Sequence, residues 1–78
     1  MKRARYAMPA DVERALERRT LIAAYRQRPS YQQNDYIGWI LRARRDDTRQ
    51  KRLAQMLDEL AEGGVYMGMS HRPSRRPG

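Results

Sequence analysis

Tyr36-Ile-Gly-Trp-Ile-Leu-Arg-Ala-Arg-Arg-Asp-Asp-Thr-Arg-Gln-Lys-Arg-Leu53 decides how this chain folds. Its first half is apolar and centred on Trp39. Its second half places six basic residues (Arg42, Arg44, Arg45, Arg49, Lys51 and Arg52) in eleven positions. No Pro or Gly interrupts the chain from Trp39 to Glu62, so local propensity permits one long helix. Phase argues against it. At ~100° per residue, the stripe of Tyr36, Ile37, Ile40 and Leu41 and the later stripe of Leu53, Met56, Leu57 and Leu60 point roughly 180° apart. One continuous rod would expose one stripe, whereas a corner lets both face a single core. Asp46-Asp47-Thr48 supplies an N-cap and acidic first-turn residues for a restart. The expectation is a reversal between residues 44 and 49, then a fourth helix over about 47–62 that stops at Gly63-Gly64.

Upstream, Pro9 suits a first helical turn, and Asp11 and Glu13 favour the positive end of the helix dipole. Val12, Ala15 and Leu16 follow at helical spacing, which predicts a first helix over 9–18. Thr20 is an N-cap candidate for a short second helix bearing Leu21, Ile22, Ala24 and Tyr25, which Pro29 ends. Ser30 with Gln33 three positions on is a capping-box pattern opening the third helix. Beyond the double glycine, Val65, Tyr66, Met67 and Met69 read as an apolar flap folding back on the bundle. Residues 1–7 read as a disordered basic arm and 70–78 as a disordered basic tail, leaving a helical domain over 8–69. The fold class is all-α, a small bundle of four helices, the second one short.

Composition narrows the function classes. A chain of 78 residues forms one small domain at most. Such a domain buries only ~60% of its unfolded surface, so each large apolar side chain counts. With no Cys and a single His at position 71, neither disulfides nor a protein metal site are expected, and no cofactor is implied. Lys2, Arg3 and Arg5 precede no apolar run, and no stretch reaches the ~18 apolar residues of a membrane span; a cytoplasmic protein is the expectation. The net charge is +8. Lys2, Arg3 and Arg5 contribute +3, and Arg72, Arg75 and Arg76 another +3, so residues 6–69 hold only +2. The excess lies in the two tails, which makes non-specific nucleic-acid contact through them a candidate mode.

The ordered residues Pro9-Ala-Asp-Val, Tyr36-Ile-Gly-Trp-Ile, Ala43-Arg-Arg, Thr48-Arg with Lys51-Arg52, and a Leu-rich helix closing on Ala61-Glu62-Gly63 carry a resemblance. Over roughly residues 9–63 the chain resembles the helical C-terminal module of the YdeI/OmpD-associated family, also described as bacteriocin-protection proteins. Larger members of that family place a β-rich domain ahead of this module, and no ligand site of that domain is expected in these residues. In relatives the corner often contains Pro or Glu; here it is Asp46-Asp47. The resemblance implies a link to envelope stress or peptide-toxin tolerance, and it brings no catalytic residues with it.

The basic corner is the foremost candidate site. Arg42, Arg45, Thr48, Arg49 and Arg52 have the chemistry of an anion or partner site beside a helix N-terminus. Against this stands local neutralisation by Asp46, Asp47, Asp58, Glu59 and Glu62, with Arg stems covering Trp39 or Tyr36, and the structural reading is preferred. Trp39 with Tyr25, Tyr31 and Tyr36 offers the chemistry of a stacking platform for single strands, but in a Phe-free chain core packing is the simpler role. Gly38, poor for helix propensity, points to the close passage of another helix backbone. Met56 reads as core, while Met67 and Met69 suit an adaptable contact surface.

Catalysis has little to draw on. The only His lies in a tail, Ser30 is a capping residue, and the adjacent pairs Asp46-Asp47 and Asp58-Glu59 fall mostly on solvated faces. No phosphate-cradling Gly-rich loop and no small-molecule substrate site is recognisable. The preferred expectation is a non-enzymatic interaction module that docks a protein partner or forms a homodimer, through Val65–Met69 or an incompletely covered helical face. The alternative is nucleic-acid binding, with the third and fourth helices resembling a helix-turn-helix and the basic tails assisting. Association with anionic membranes ranks below both, since no helix sets a Lys/Arg face against bulky apolar residues.

Overall fold

A computed structural model describes residues 5–70. Of the ends expected to be disordered, 1–7 and 70–78, residues 1–4 and 71–78 lie outside the described residues, and with them Lys2, Arg3, His71, Arg72, Arg75 and Arg76. Four helices follow one another: α1 (Ala10–Arg18), α2 (Ile22–Gln27), α3 (Ser30–Leu41) and α4 (Asp46–Glu62). The fold is therefore all-α, closed by a minimal antiparallel hairpin of β1 (Val65–Tyr66) and β2 (Met69–Ser70), with Val65 opposite Ser70 and Tyr66 opposite Met69.

The break between the two apolar stripes falls at Arg42–Arg45, slightly earlier than the phase argument places it. With α3 packed on α4, both stripes enter one core. Tyr36, Ile37 and Ile40 meet Leu53, Met56, Leu57 and Leu60, while Val12, Leu16, Leu21 and Tyr25 close it from α1, the α1–α2 turn and α2. Leu16, Ile37 and Ile40 are essentially fully buried, each stabilising the fold by ~1.5–3 kcal/mol relative to exposure. Leu41 departs from its expected place on the stripe. It is 43% exposed, since it ends α3 on a side that no other helix covers.

The helix ends differ from the sequence expectations in physical detail. Pro9 is the N-cap of α1, not a first-turn residue; in extended conformation (ψ 145°) it turns its carbonyl to accept from the Glu13 N–H. Thr20 does not cap α2. It takes a left-handed conformation (φ 58°) and terminates α1 in a Schellman arrangement: the Thr20 N–H donates to the Glu17 carbonyl and the Leu21 N–H to the Leu16 carbonyl. The accompanying contact of this motif is apolar, and both Leu16 and Leu21 belong to the core.

Ser30 does not form a capping box either. Pro29 occupies the N-cap, its carbonyl accepting from the Gln32 and Gln33 N–H groups, and no side chain caps α3. The Gln33 carboxamide instead reaches back and donates to the carbonyls of Arg26 and Arg28, satisfying the outgoing end of α2. At α4 the N-cap is Arg45; Asp46 and Asp47 lie in the first turn, where Asp47 Oδ1 accepts from the Thr48 N–H.

The hairpin turn is Met67-Gly68, with both φ values positive (51° and 82°), as a type I′ connection requires. Residues 5–9 have no regular secondary structure and run over α3 as a strap. The Tyr6 N–H donates to Asn34 Oδ1, and the Tyr6 ring lies on Gly38. A Cβ built on Gly38 would stand 2.6 Å from Tyr6 Cε2. The glycine is thus explained by an aromatic ring from the strap, not by the neighbouring helix backbone that the sequence suggested.

Candidate functional site

The predicted corner residues are brought to one end of the α3–α4 pair, but they do not act as one cluster. Arg49 turns toward α1 and forms a two-point ion pair with Asp11. The Arg49 hydrogen bond holds the Asp11 carboxyl below the usual range against a smaller opposing effect of burial, and raises the guanidinium in return. Arg52 lies with its guanidinium carbon 5.4 Å from the Trp39 ring centroid and donates to the Trp39 carbonyl at 2.7 Å, near the open end of α3. Arg45 pairs with Asp47 in an exposed contact at 3.2 Å. Thr48 is half-buried, with its N–H on Asp47. Arg42 is exposed at the end of α3, close to Gly38.

Two of the five candidates, Arg49 and Arg52, therefore direct N–H donors into the bundle. Arg42, Arg44 and Lys51 remain exposed and make no ion pair among the described residues. Of the carboxylates expected to neutralise the corner, Asp58 pairs with Arg19 at 3.0 Å instead, tying the end of α1 to α4.

Glu59 overturns the expectation of a solvated face. It is 5% exposed and accepts four hydrogen bonds. Oε1 takes the Tyr36 hydroxyl and the Met67 N–H (2.7 Å); Oε2 takes Gln55 Nε2 (2.9 Å) and the Gly68 N–H (2.7 Å). The two turn amides of the hairpin thus end on one buried carboxylate. Tyr66 completes the anchor, its ring edge-on to Tyr36 at 5.4 Å and its hydroxyl donating to Asp35 at 2.6 Å. Val65, Tyr66 and Met67 are half-buried as a result, so the flap is seated on the bundle.

Arg28, also buried, donates to Gln32 Oε1 and to the Glu59 carbonyl and lies 6.0 Å from the Tyr36 ring centroid. Burial first, then the Glu59 carboxylate, push the Tyr36 phenol well above its ordinary value, so it remains a proton donor to Glu59. This is a closed structural network: every buried side-chain N or O atom described has a partner. Periodicity carries a faint signal for it, since Glu59 stands three residues after Met56 and one before Leu60, on the rim of the apolar stripe. Arg28 gives none beyond its place before Pro29.

The aromatic residues divide in the same manner. Tyr25 and Tyr36 are core, Trp39 is half-buried, and Tyr31 is 44% exposed. Tyr31 and Tyr6 stand on an open groove of about 710 Å³ whose walls also include Arg5, Tyr25, Gln33 and Asn34. One wall is the strap; the other is the α2–α3 junction, where the Tyr25 hydroxyl donates to the Gln33 carbonyl. Among the described residues, no carboxylate lines the groove.

Among the described residues no three His, Cys, Asp or Glu side chains gather as metal ligands would, and no helix is long and apolar enough to cross a membrane. No curated protein and no solved structure matches the chain. The family model OmdA, described as "Bacteriocin-protection, YdeI or OmpD-Associated", does match, over residues 5–63, from the strap through the end of α4. By that match, and with the Trp-Ile, Ala-basic-basic and Thr-Arg elements in order along α3 and α4, the chain belongs to the bacteriocin-protection, YdeI/OmpD-associated family.

Proposed function

We propose that this chain is a non-enzymatic binding module that docks another polypeptide on the face formed by the strap, α2 and α3. The observation that carries the reading is the placement of exposed aromatics. Tyr6 and Tyr31, two of the three large hydrophobics left open in the described residues, stand on the same groove. Tyrosine supplies large contact area at small conformational cost, which is why protein-binding surfaces use it. The Val65–Met67 segment, in contrast, already has a partner in the bundle. The family description, bacteriocin protection, is compatible with a role in tolerance of peptide toxins through recognition of a polypeptide.

A photo-crosslinking side chain replacing Tyr31, with Glu17 replaced as an exposed control on α1, tests the reading in cells. Protease-sensitive adducts at position 31 and not at 17 are expected. Nuclease-sensitive adducts, or equal yields at both positions, would overturn it. An adduct of twice the chain mass would instead identify the partner as a second copy.

The exposed, unpaired Arg42, Arg44 and Lys51 favour a second reading, a nucleic acid held at the corner. That mode requires affinity to fall with salt by a slope of ~0.9 per phosphate contact, and binding that is lost when the three residues become Gln.

A further inference from the structure

Resting on the polypeptide-docking reading above, we propose that the groove between the strap and the α2–α3 junction holds an acidic, extended peptide segment. The chemistry of the walls selects this occupant. Exposed phenol rings of Tyr6 and Tyr31 stand on the groove beside Gln33, whose Nε2 is already spent on the Arg26 and Arg28 carbonyls, so the rings supply the contact area for an extended chain. Among the described residues, the one charged side chain in the walls is Arg5, and no acidic residue lines the groove with it. In sequence, Lys2 and Arg3 precede Arg5, so residues 1–5 carry three positive charges. A partner segment with carboxylates meets charge complementarity at that end.

The same charges argue against the other occupants. A second copy carries a net charge of +8, and the chain's own last nine residues contain Arg72, Arg75 and Arg76 and no acidic residue, so neither offers an excess of negative charge to Arg5. A nucleic acid, with a phosphate at every step, is better served by the corner, where Arg42, Arg44 and Lys51 are unpaired, than by a groove with one guanidinium.

Gly38 provides a specific lever on the strap wall. A methyl group at position 38 collides with the Tyr6 ring and must displace it, while the Ala itself favours the helix. Gly38→Ala therefore shifts one wall of the groove and leaves the bundle folded.

The test is an NMR titration of the full chain with an acetylated peptide of alternating Glu and Pro, its Gln–Pro counterpart, and a short oligothymidylate. Alternating Pro keeps the peptides extended and gives the rings apolar faces to stack on. The expected result is shifts confined to Tyr6, Tyr31, Gln33 and Asn34 with the Glu peptide, and about tenfold weaker binding of the Gln peptide. Gly38→Ala and, independently, Arg5→Gln should each weaken the Glu peptide about fivefold, with an unchanged helical CD spectrum. Equal binding of the two peptides, no binding of the Glu peptide, shifts located at Arg42–Lys51, or preference for the oligothymidylate in the groove would each overturn the acidic-peptide assignment. If the peptides fail while protease-sensitive adducts at position 31 persist, the docking reading stands and only the chemistry of the partner is wrong.

Discussion

Glu59→Gln is the sharpest test of how the hairpin is held. Each Glu59 oxygen accepts two hydrogen bonds, one from a side chain and one from a turn amide. Whichever way a Gln carboxamide is oriented, its NH2 faces one of those pairs. Tyr36 can rotate its hydroxyl to accept and Gln55 can flip its amide, but a backbone N–H cannot become an acceptor. One turn amide, of Met67 or Gly68, is therefore left against another donor. The net worth of a hydrogen bond to a charged group is ~1.5–3 kcal/mol, and the relief of taking a buried carboxylate to neutral offsets part of the loss.

A destabilisation of ~2–3 kcal/mol follows, out of the ~4–12 kcal/mol expected for a chain of this length. The melting temperature should fall by about 10–20 °C in far-ultraviolet CD. Hydrogen exchange at Met67 and Gly68 should accelerate more than exchange in α3. If Glu59→Gln melts with the parent protein and its turn amides stay protected, the carboxylate is not the anchor and the hairpin is held by Tyr66 alone.

Thr20→Gly should raise stability by ~0.5–1 kcal/mol in urea unfolding, because a β-branched residue at φ 58° is strained where Gly is not. Asp11→Asn should cost less than ~1 kcal/mol, since the Asp11 side chain is 43% exposed and solvent screens the pair. Because Arg49 lowers the folded Asp11 value, the pair's contribution is complete above the ordinary Asp range and disappears as pH falls through the lowered value. The urea midpoint of the variant should accordingly be flatter with pH on the acid side than that of the parent. Tyr36 behaves in the opposite sense. Its raised value means stability is complete below the ordinary phenol value of ~10 and is lost as pH rises beyond it, so Tyr36→Phe should cost ~1–2 kcal/mol at neutral pH and unfold less steeply in alkali.

The apolar stripes were legible in the residues because burial imposes a period. Leu53, Met56, Leu57 and Leu60 repeat at helical spacing, and their phase against Ile37 and Ile40 demanded the corner that the structure shows. Cap chemistry was less so. Thr20 lies between two helices only three residues apart, where the signals for ending one and starting the next fall on the same positions. Ser30 was overruled by Pro29, whose fixed φ already suits an N-cap. Glu59 gave only the faint signal of its place on the rim of the apolar stripe, and Arg28 none, because a periodic reading counts charged residues as surface; only the hairpin folding back makes a buried carboxylate favourable. The groove was equally hidden. Its walls come from positions 5 to 34, which converge through the seating of Tyr6 on Gly38, a contact that no local pattern encodes.

Trp39 is the sole tryptophan in the chain, and a guanidinium from the next helix sits 5.4 Å from its ring centroid. The protein consequently contains its own optical gauge of how α3 and α4 meet. Excited beyond the tyrosine absorption band, emission arises from one fluorophore, so a change in colour or intensity reports a single location. A ligand that pulled Arg52 away from that ring would register without any added dye.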